Sequence, residues 1–188
     1  GLAMAVGEGI LPTLHAIEGF RLGTASAGIK TPGRLDLVVM ELCEGATVSG
    51  VFTRNAFCAA PVQIAKRHLS AAASRYFVVN TGNANAGTGE QGLLDSLSSC
   101  HSLASLTAVD VNQILPFSTG VIGESLPVEK IAAALPQAIA ALDDDAWLLA
   151  AEGIMTTDTR PKAASTQIQY DGQTISITGI ATGAGMLK

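Results

Sequence analysis

The chain has 188 residues, 48% of them hydrophobic and 14% charged, with a net charge of −5. That length suits one domain with a substantial core, and a charged share well below the usual quarter or so predicts extensive burial against a protein partner. A negative balance without a Lys/Arg cluster excludes a nucleic-acid role, and no apolar run reaches the ~18 residues of a membrane span, because Gly, Thr, Asn and charges interrupt each one.

Cys43, Cys58 and Cys100 are an odd number without metal-ligand spacing. They read as reduced and structural, which suits a cytoplasmic protein. Residues 1–14 carry neither the basic flank nor the apolar core of a secretory signal. Met4 reads as the native start and Gly1-Leu2-Ala3 as a cloning remnant, so residues 1–188 are taken as a single unit.

Residues 19–29 are rich in Gly, Ala and Ser, and Lys30-Thr31-Pro32-Gly33 signals a turn. Residues 36–42 and 47–53, rich in β-branched side chains and separated by Glu44-Gly45, are predicted to pair as a hairpin. Residues 54–61 read as a loop, 62–69 fit either a strand or a short helix, and 75–80 read as a short buried strand.

That strand runs into Asn80-Thr81-Gly82-Asn83-Ala84-Asn85-Ala86-Gly87-Thr88-Gly89, in which every residue is small or amide-bearing. The spacing fits neither common glycine-rich phosphate loop. Tight turns with side-chain amides replacing backbone bonds and direct ligand contact both remain open for it. Residues 90–106 are predicted to be helical, with Leu93, Leu94, Leu97, Leu103 and Leu106 on one apolar face. His15, His68 and His101 have no second metal ligand at helical spacing and read as core or solvent-facing residues.

Residues 109–115 read as a buried strand and 126–142 as a helix with Pro127 near its first turn. Between them lies Ser118-Thr119-Gly120, an ordinary turn or a set of N–H groups and hydroxyls facing an anion. Asp143-Asp144-Asp145 looks like a cap for a helix over 146–154, and no metal is expected there. Residues 155–162 then hold three hydroxyls, one carboxylate and two cations, a density costly to bury unless paired or facing a ligand. Residues 165–170 and 173–180 flank Asp171-Gly172, a strong hairpin signal, with Ile168, Tyr170, Ile175 and Ile177 at alternating positions. The apolar, glycine-punctuated residues 178–188 do not read as a natural terminus, and more chain is expected beyond them.

Five segments together resemble the N-terminal half of the ornithine acetyltransferase family, also called glutamate N-acetyltransferase, of arginine biosynthesis. They are residues 53–62, residues 80–89, Ser118-Thr119-Gly120-Val121-Ile122-Gly123, residues 154–159 with Pro161-Lys162, and residues 183–187. The resemblance implies a precursor that cleaves itself before a threonine. It implies an α/β fold, a layered sandwich completed by the resulting second (β) chain, with this chain as the α chain of an (αβ)2 assembly. The β-chain threonine would be the nucleophile of a ping-pong transfer of acetyl from N2-acetylornithine to glutamate. No cofactor or metal is implied, although acetyl-CoA serves some members as a co-substrate. By the same resemblance Thr119 and Gly120 match the oxyanion-hole pair, Thr156 matches a substrate-binding threonine, and Thr157 and Asp158 would support it. Thr182 stands where the family usually has a substrate-contacting lysine. Lys162 and Lys188 are candidate replacements for its charge, and an engineered substitution, an altered substrate or lost activity are the other readings.

Overall fold

In the computed structural model, which describes residues 12–183, four strands form one sheet in the order β1 (Phe20–Ala25), β2 (Leu37–Leu42), β3 (Tyr76–Asn80), β4 (Ile114–Ser118). β2 runs antiparallel to both of its neighbours, whereas β3 and β4 are parallel and end side by side, Asn80 against Ser118. A parallel pair needs a long crossover, and α2 (Gly89–Thr107) supplies it. The remnant expected at residues 1–3, the start at Met4, the segment from Ala184 to Leu187 and Lys188 all lie outside the described residues.

Period-two alternation divides the sheet's side chains between two cores. Leu37, Val39 and Val78 join Ile64 of α1 (Ala60–Ala71), Leu103 of α2, and Ile131 and Leu135 of α3 (Val128–Ala140). On the opposite face Leu22 and Val38 meet Trp147 and Ala150 of α4 (Trp147–Gly153), and Trp147 stacks on Phe20 at a ring separation of 5.2 Å. β5 (Lys162–Tyr170) and β6 (Gln173–Ala181) form the predicted second, two-stranded sheet. Its turn has φ of 50° at Asp171 and 73° at Gly172, the paired positive φ of the turn type that matches strand twist. Ile180 anchors this hairpin to the second core, while Ile168, Tyr170, Ile175 and Ile177 share its other, exposed face.

Five expectations need correction. The strand read over residues 109–115 starts only at Ile114, because Val111–Gln113 form a 3-10 turn capped by the Asp110 carboxylate. Residues 47–53 form no strand, because β2 already has β1 on one side and β3 on the other. The Gly- and Ala-rich stretch read without a strand contains β1. Its Gly23 is small for a packing reason, since a Cβ there would sit 1.9 Å from the Ala138 carbonyl oxygen of α3. On α2, Leu94 and Leu106 are exposed while Asp95, Ser96, Ser99 and Cys100 are buried; the small polar side chains admit the amide-rich loop that precedes the helix. Asp143 does not cap α4. Its backbone exchanges two hydrogen bonds with Leu22, its carboxylate takes the Asp145 N–H, and Ala146 holds the cap position without a side-chain bond.

Among the described residues no helix is long and apolar enough to cross a membrane, and no group of three or more His, Cys, Asp or Glu could hold a metal ion. The three cysteines are unpaired, and burial pushes the Cys100 thiol up to about 12, so it stays protonated. His68 is a core histidine whose Nδ1 lies 2.7 Å from the Ile114 carbonyl oxygen.

Candidate active site

The parallel strands β3 and β4 deliver two loops to the same place, residues 80–89 and 118–124. Asn80, Asn83 and Asn85 are all buried, and each amide both donates and accepts a hydrogen bond. Asn80 donates to the Asn83 carbonyl at 2.9 Å and accepts the Ser118 hydroxyl at 2.5 Å. Asn83 donates to the carbonyls of Glu124 and Ser125. Asn85, wholly buried and at a φ of 48°, donates to the Gly92 carbonyl and the Ser96 hydroxyl and accepts from Thr88. Backbone bonds Val121 N–H to Gly82 O, Ala84 N–H to Val121 O and Gly123 N–H to Ala86 O complete the lacing. The amide-rich segment is therefore a brace that fixes the Ser118–Glu124 loop, the first of its two open readings, although Thr81 and Gly82 also border the cavity described below.

At the tip of the braced loop, Thr119 and Gly120 have different donors left over. The Thr119 N–H is engaged by the Asn80 carbonyl at 3.1 Å, so its hydroxyl is the donor that remains. The Gly120 N–H has no partner among the described residues. Gly120 holds a φ of 134°, and a Cβ there would lie 2.5–2.6 Å from Gly82 C and Asn83 N. Glycine is required by both the φ and the backbone approach.

Both residues border a cavity of about 510 Å³ whose wall also includes Thr156, Lys30, Arg34 and Asp36. Arg34 Nη2 donates to the carbonyls of Met155 and Thr156 at 2.5 and 2.9 Å, which fixes the Thr156 segment at the cavity. Asp36 is buried and accepts the N–H groups of Ala27 and Ile29, holding the segment that leads into Lys30. Thr119, Gly120 and Thr156 thus come together, with Thr157 beside them.

Thr182 stands apart from that wall. Its hydroxyl donates to Asp158 Oδ1 at 3.3 Å. Asp158 is buried and also accepts from Lys162 Nζ at 2.5 Å, Gly183 N–H at 2.9 Å and Thr156 N–H at 3.3 Å. Burial alone would raise its pKa, but the Lys162 bond and the backbone N–H groups outweigh it and hold the carboxyl down at about 2. Lys162 is accordingly committed to Asp158.

Sequence reasoning passed over Lys30, Arg34 and Asp36, which it read as a turn and the start of a strand. The signal was a local density of charge, Lys30, Arg34 and Asp36 within residues 30–36, of the kind noted for residues 155–162.

The sequence pattern described as the ArgJ family matches residues 21–188. The chain is 62% identical over 185 residues to the arginine biosynthesis bifunctional protein ArgJ of Pseudomonas fluorescens (strain Pf0-1), covering 98% of this chain and 45% of that protein. It is 53% identical over 186 residues to the protein of the same description from Colwellia psychrerythraea, covering 93% and 44%. The chain thus spans less than half the length of these relatives. Among solved structures it resembles ornithine acetyltransferase of Mycobacterium tuberculosis complexed with ornithine, with a TM-score of 0.85 at 32% identity, covering 95% of this chain and 96% of that one. It also resembles the bifunctional ArgJ protein of Bacillus halodurans, with a TM-score of 0.80 at 29% identity over 91% and 90% of the two chains.

Proposed function

The chain belongs to the ArgJ family, and from that premise we propose that it is the α portion of an acetyltransferase carrying acetyl from N2-acetylornithine to glutamate. The observation that carries the proposal is the pair of unengaged donors, the Thr119 hydroxyl and the Gly120 N–H, on the wall of a cavity shared with Thr156. Two neighbouring donors on one cavity wall are the equipment for a carbonyl oxygen that becomes negative during acyl transfer. The partner is a β chain from the same precursor, whose N-terminal threonine is the nucleophile, and the assembly is (αβ)2.

In this mechanism the threonine hydroxyl attacks the acetyl carbon and gives its proton to its own α-amino group. The carbonyl oxygen gathers charge against Thr119 and Gly120. The C–N bond then breaks, the departing ornithine amine takes the proton, and the acetyl group remains as an ester on the threonine. Glutamate's free amine attacks that ester through the same oxyanion site, releasing N-acetylglutamate and restoring the hydroxyl. Thr156, held by Arg34, contacts the substrate beside the reacting carbon. The description of the relatives as bifunctional supports a second donor, acetyl-CoA, acetylating the same threonine and releasing free CoA.

Steady-state kinetics of the full gene product carrying Thr119→Ala test the reading. A loss of kcat of about 10²–10³ with little change in KM is expected for removal of one oxyanion donor, and Thr119→Ser should recover most of it. An unchanged kcat in Thr119→Ala removes this residue from the chemistry.

A further inference from the structure

An N-acylated amino acid whose carbonyl oxygen lies at Thr119 and Gly120 carries its α-carboxylate one amino-acid backbone away, against the wall of the same cavity. Something there must meet that charge, because a carboxylate leaving water without a partner is strongly disfavoured. The lysine usual in the family is absent, and Thr182 in its place turns its hydroxyl to Asp158. Lys162 is already paired with that carboxylate. Among the described residues the cations on the cavity wall are Lys30 and Arg34, and Arg34 is engaged by the carbonyls of Met155 and Thr156.

Lys30 differs from every other candidate. It makes no hydrogen bond or ion pair among the described residues, yet its backbone is held in place, since the neighbouring Ile29 N–H is bound by Asp36 at 2.8 Å. Its Cβ also packs close to Gly82, at 3.3 Å from where a Gly82 Cβ would stand, and Gly82 is itself the residue against which Gly120 is pressed. Lys30 and Gly120 therefore pack against the same residue, Gly82, and line the same cavity. Asp36 contributes negative charge to the wall, but both its oxygens accept backbone N–H groups, which leaves Lys30 unpaired.

Resting on the acetyl-transfer reading above, we infer that Lys30 binds the substrate α-carboxylate in this protein, where Thr182 supplies no charge. Lys30 is a binding and specificity residue. It sets which acyl amino acid enters, and the donors at Thr119 and Gly120 act on the acetyl group.

The test compares full gene product as wild type, Lys30→Met and Lys30→Arg, each assayed for acetyl transfer to glutamate from N2-acetylornithine and from the same donor with its α-carboxylate converted to a carboxamide. Lys30 is exposed, so both variants should fold, which circular dichroism checks. Wild type should discriminate strongly against the carboxamide. Lys30→Met should raise KM for the acid roughly 10–100-fold, the size of a lost charge-assisted bond, with a much smaller change in kcat, and should lose the discrimination. Lys30→Arg should stay within a few-fold of wild type. An active wild type whose KM and discrimination survive in Lys30→Met overturns the assignment of Lys30 alone. A wild type that transfers no acetyl overturns the reaction itself and the assignment with it.

Discussion

Gly120 concentrates two constraints in one residue. Its φ of 134° is a conformation that side chains disfavour, and the space where a Cβ would go is occupied by the backbone of Gly82 and Asn83. Gly120→Ala should therefore cost about 2–4 kcal/mol of stability as well as activity, from strain and overpacking together. Thr119→Ala removes a hydroxyl with no partner among the described residues and a methyl that is only half-buried, and should leave thermal unfolding nearly unchanged. Calorimetry on the two variants separates a donor from a structural keystone. Equal melting temperatures would show that the loop relaxes around the new methyl and that the close approach to Gly82 carries little energy. The asparagines that support this loop were conspicuous in the sequence, but their employment was not. A buried amide that binds ligand and one that binds the neighbouring loop have the same composition, and only the partners of Asn80, Asn83 and Asn85 distinguish them.

Among the elements, the β5–β6 hairpin depends on Asp158 at its open end. This carboxylate ties Lys162, at the start of β5, to Thr182 and Gly183, just past β6. Its pKa of about 2 lies below the ordinary 3.8, so the stabilisation it contributes is present above about pH 4 and is lost as pH falls towards 2. Lys162→Met removes one of the groups that hold the pKa down. It should cost about 1–2 kcal/mol at neutral pH and move the acid limb of unfolding to higher pH. Faster hydrogen exchange at the Gly183 amide would accompany it; an acid limb identical to wild type would show that the backbone N–H groups suffice. The hairpin itself was legible, because Asp171-Gly172 and strict alternation are local signals. The misread elements failed for non-local reasons. β1 contains a glycine for the sake of α3, and residues 47–53 have strand-like composition but find both sides of β2 already paired. The polar stripe of α2 is buried because Asn85 needs Ser96, a demand that arises outside the helix.

For the whole molecule, the apolar composition found its explanation only in part. Two cores account for the buried side chains of the sheet, yet Ile168, Tyr170, Ile175 and Ile177 form an exposed face on the hairpin and Phe117 of β4 is exposed as well. The chain spans 45% of its Pseudomonas relative, so under the two-chain reading these surfaces meet the remainder of the precursor. A denaturing intact-mass spectrum of the purified full gene product should accordingly give two chains, the second beginning with threonine by N-terminal sequencing. A single uncut polypeptide with full acetyl transfer would exclude the N-terminal threonine as nucleophile.

The bond from Thr119 N–H to the Asn80 carbonyl has a kinetic implication. Under the proposed mechanism it would leave the oxyanion site with one donor that is fixed, the Gly120 amide, and one that swivels, since a hydroxyl proton turns freely about its C–O bond and an amide proton does not. In the proposed two-stage transfer the acetyl carbon changes from planar to tetrahedral and back twice, carrying its oxygen with it, and a different amine departs or arrives each time. A rotor set beside a rigid amide would follow that oxygen through both excursions without backbone motion, so a single site would serve both half-reactions.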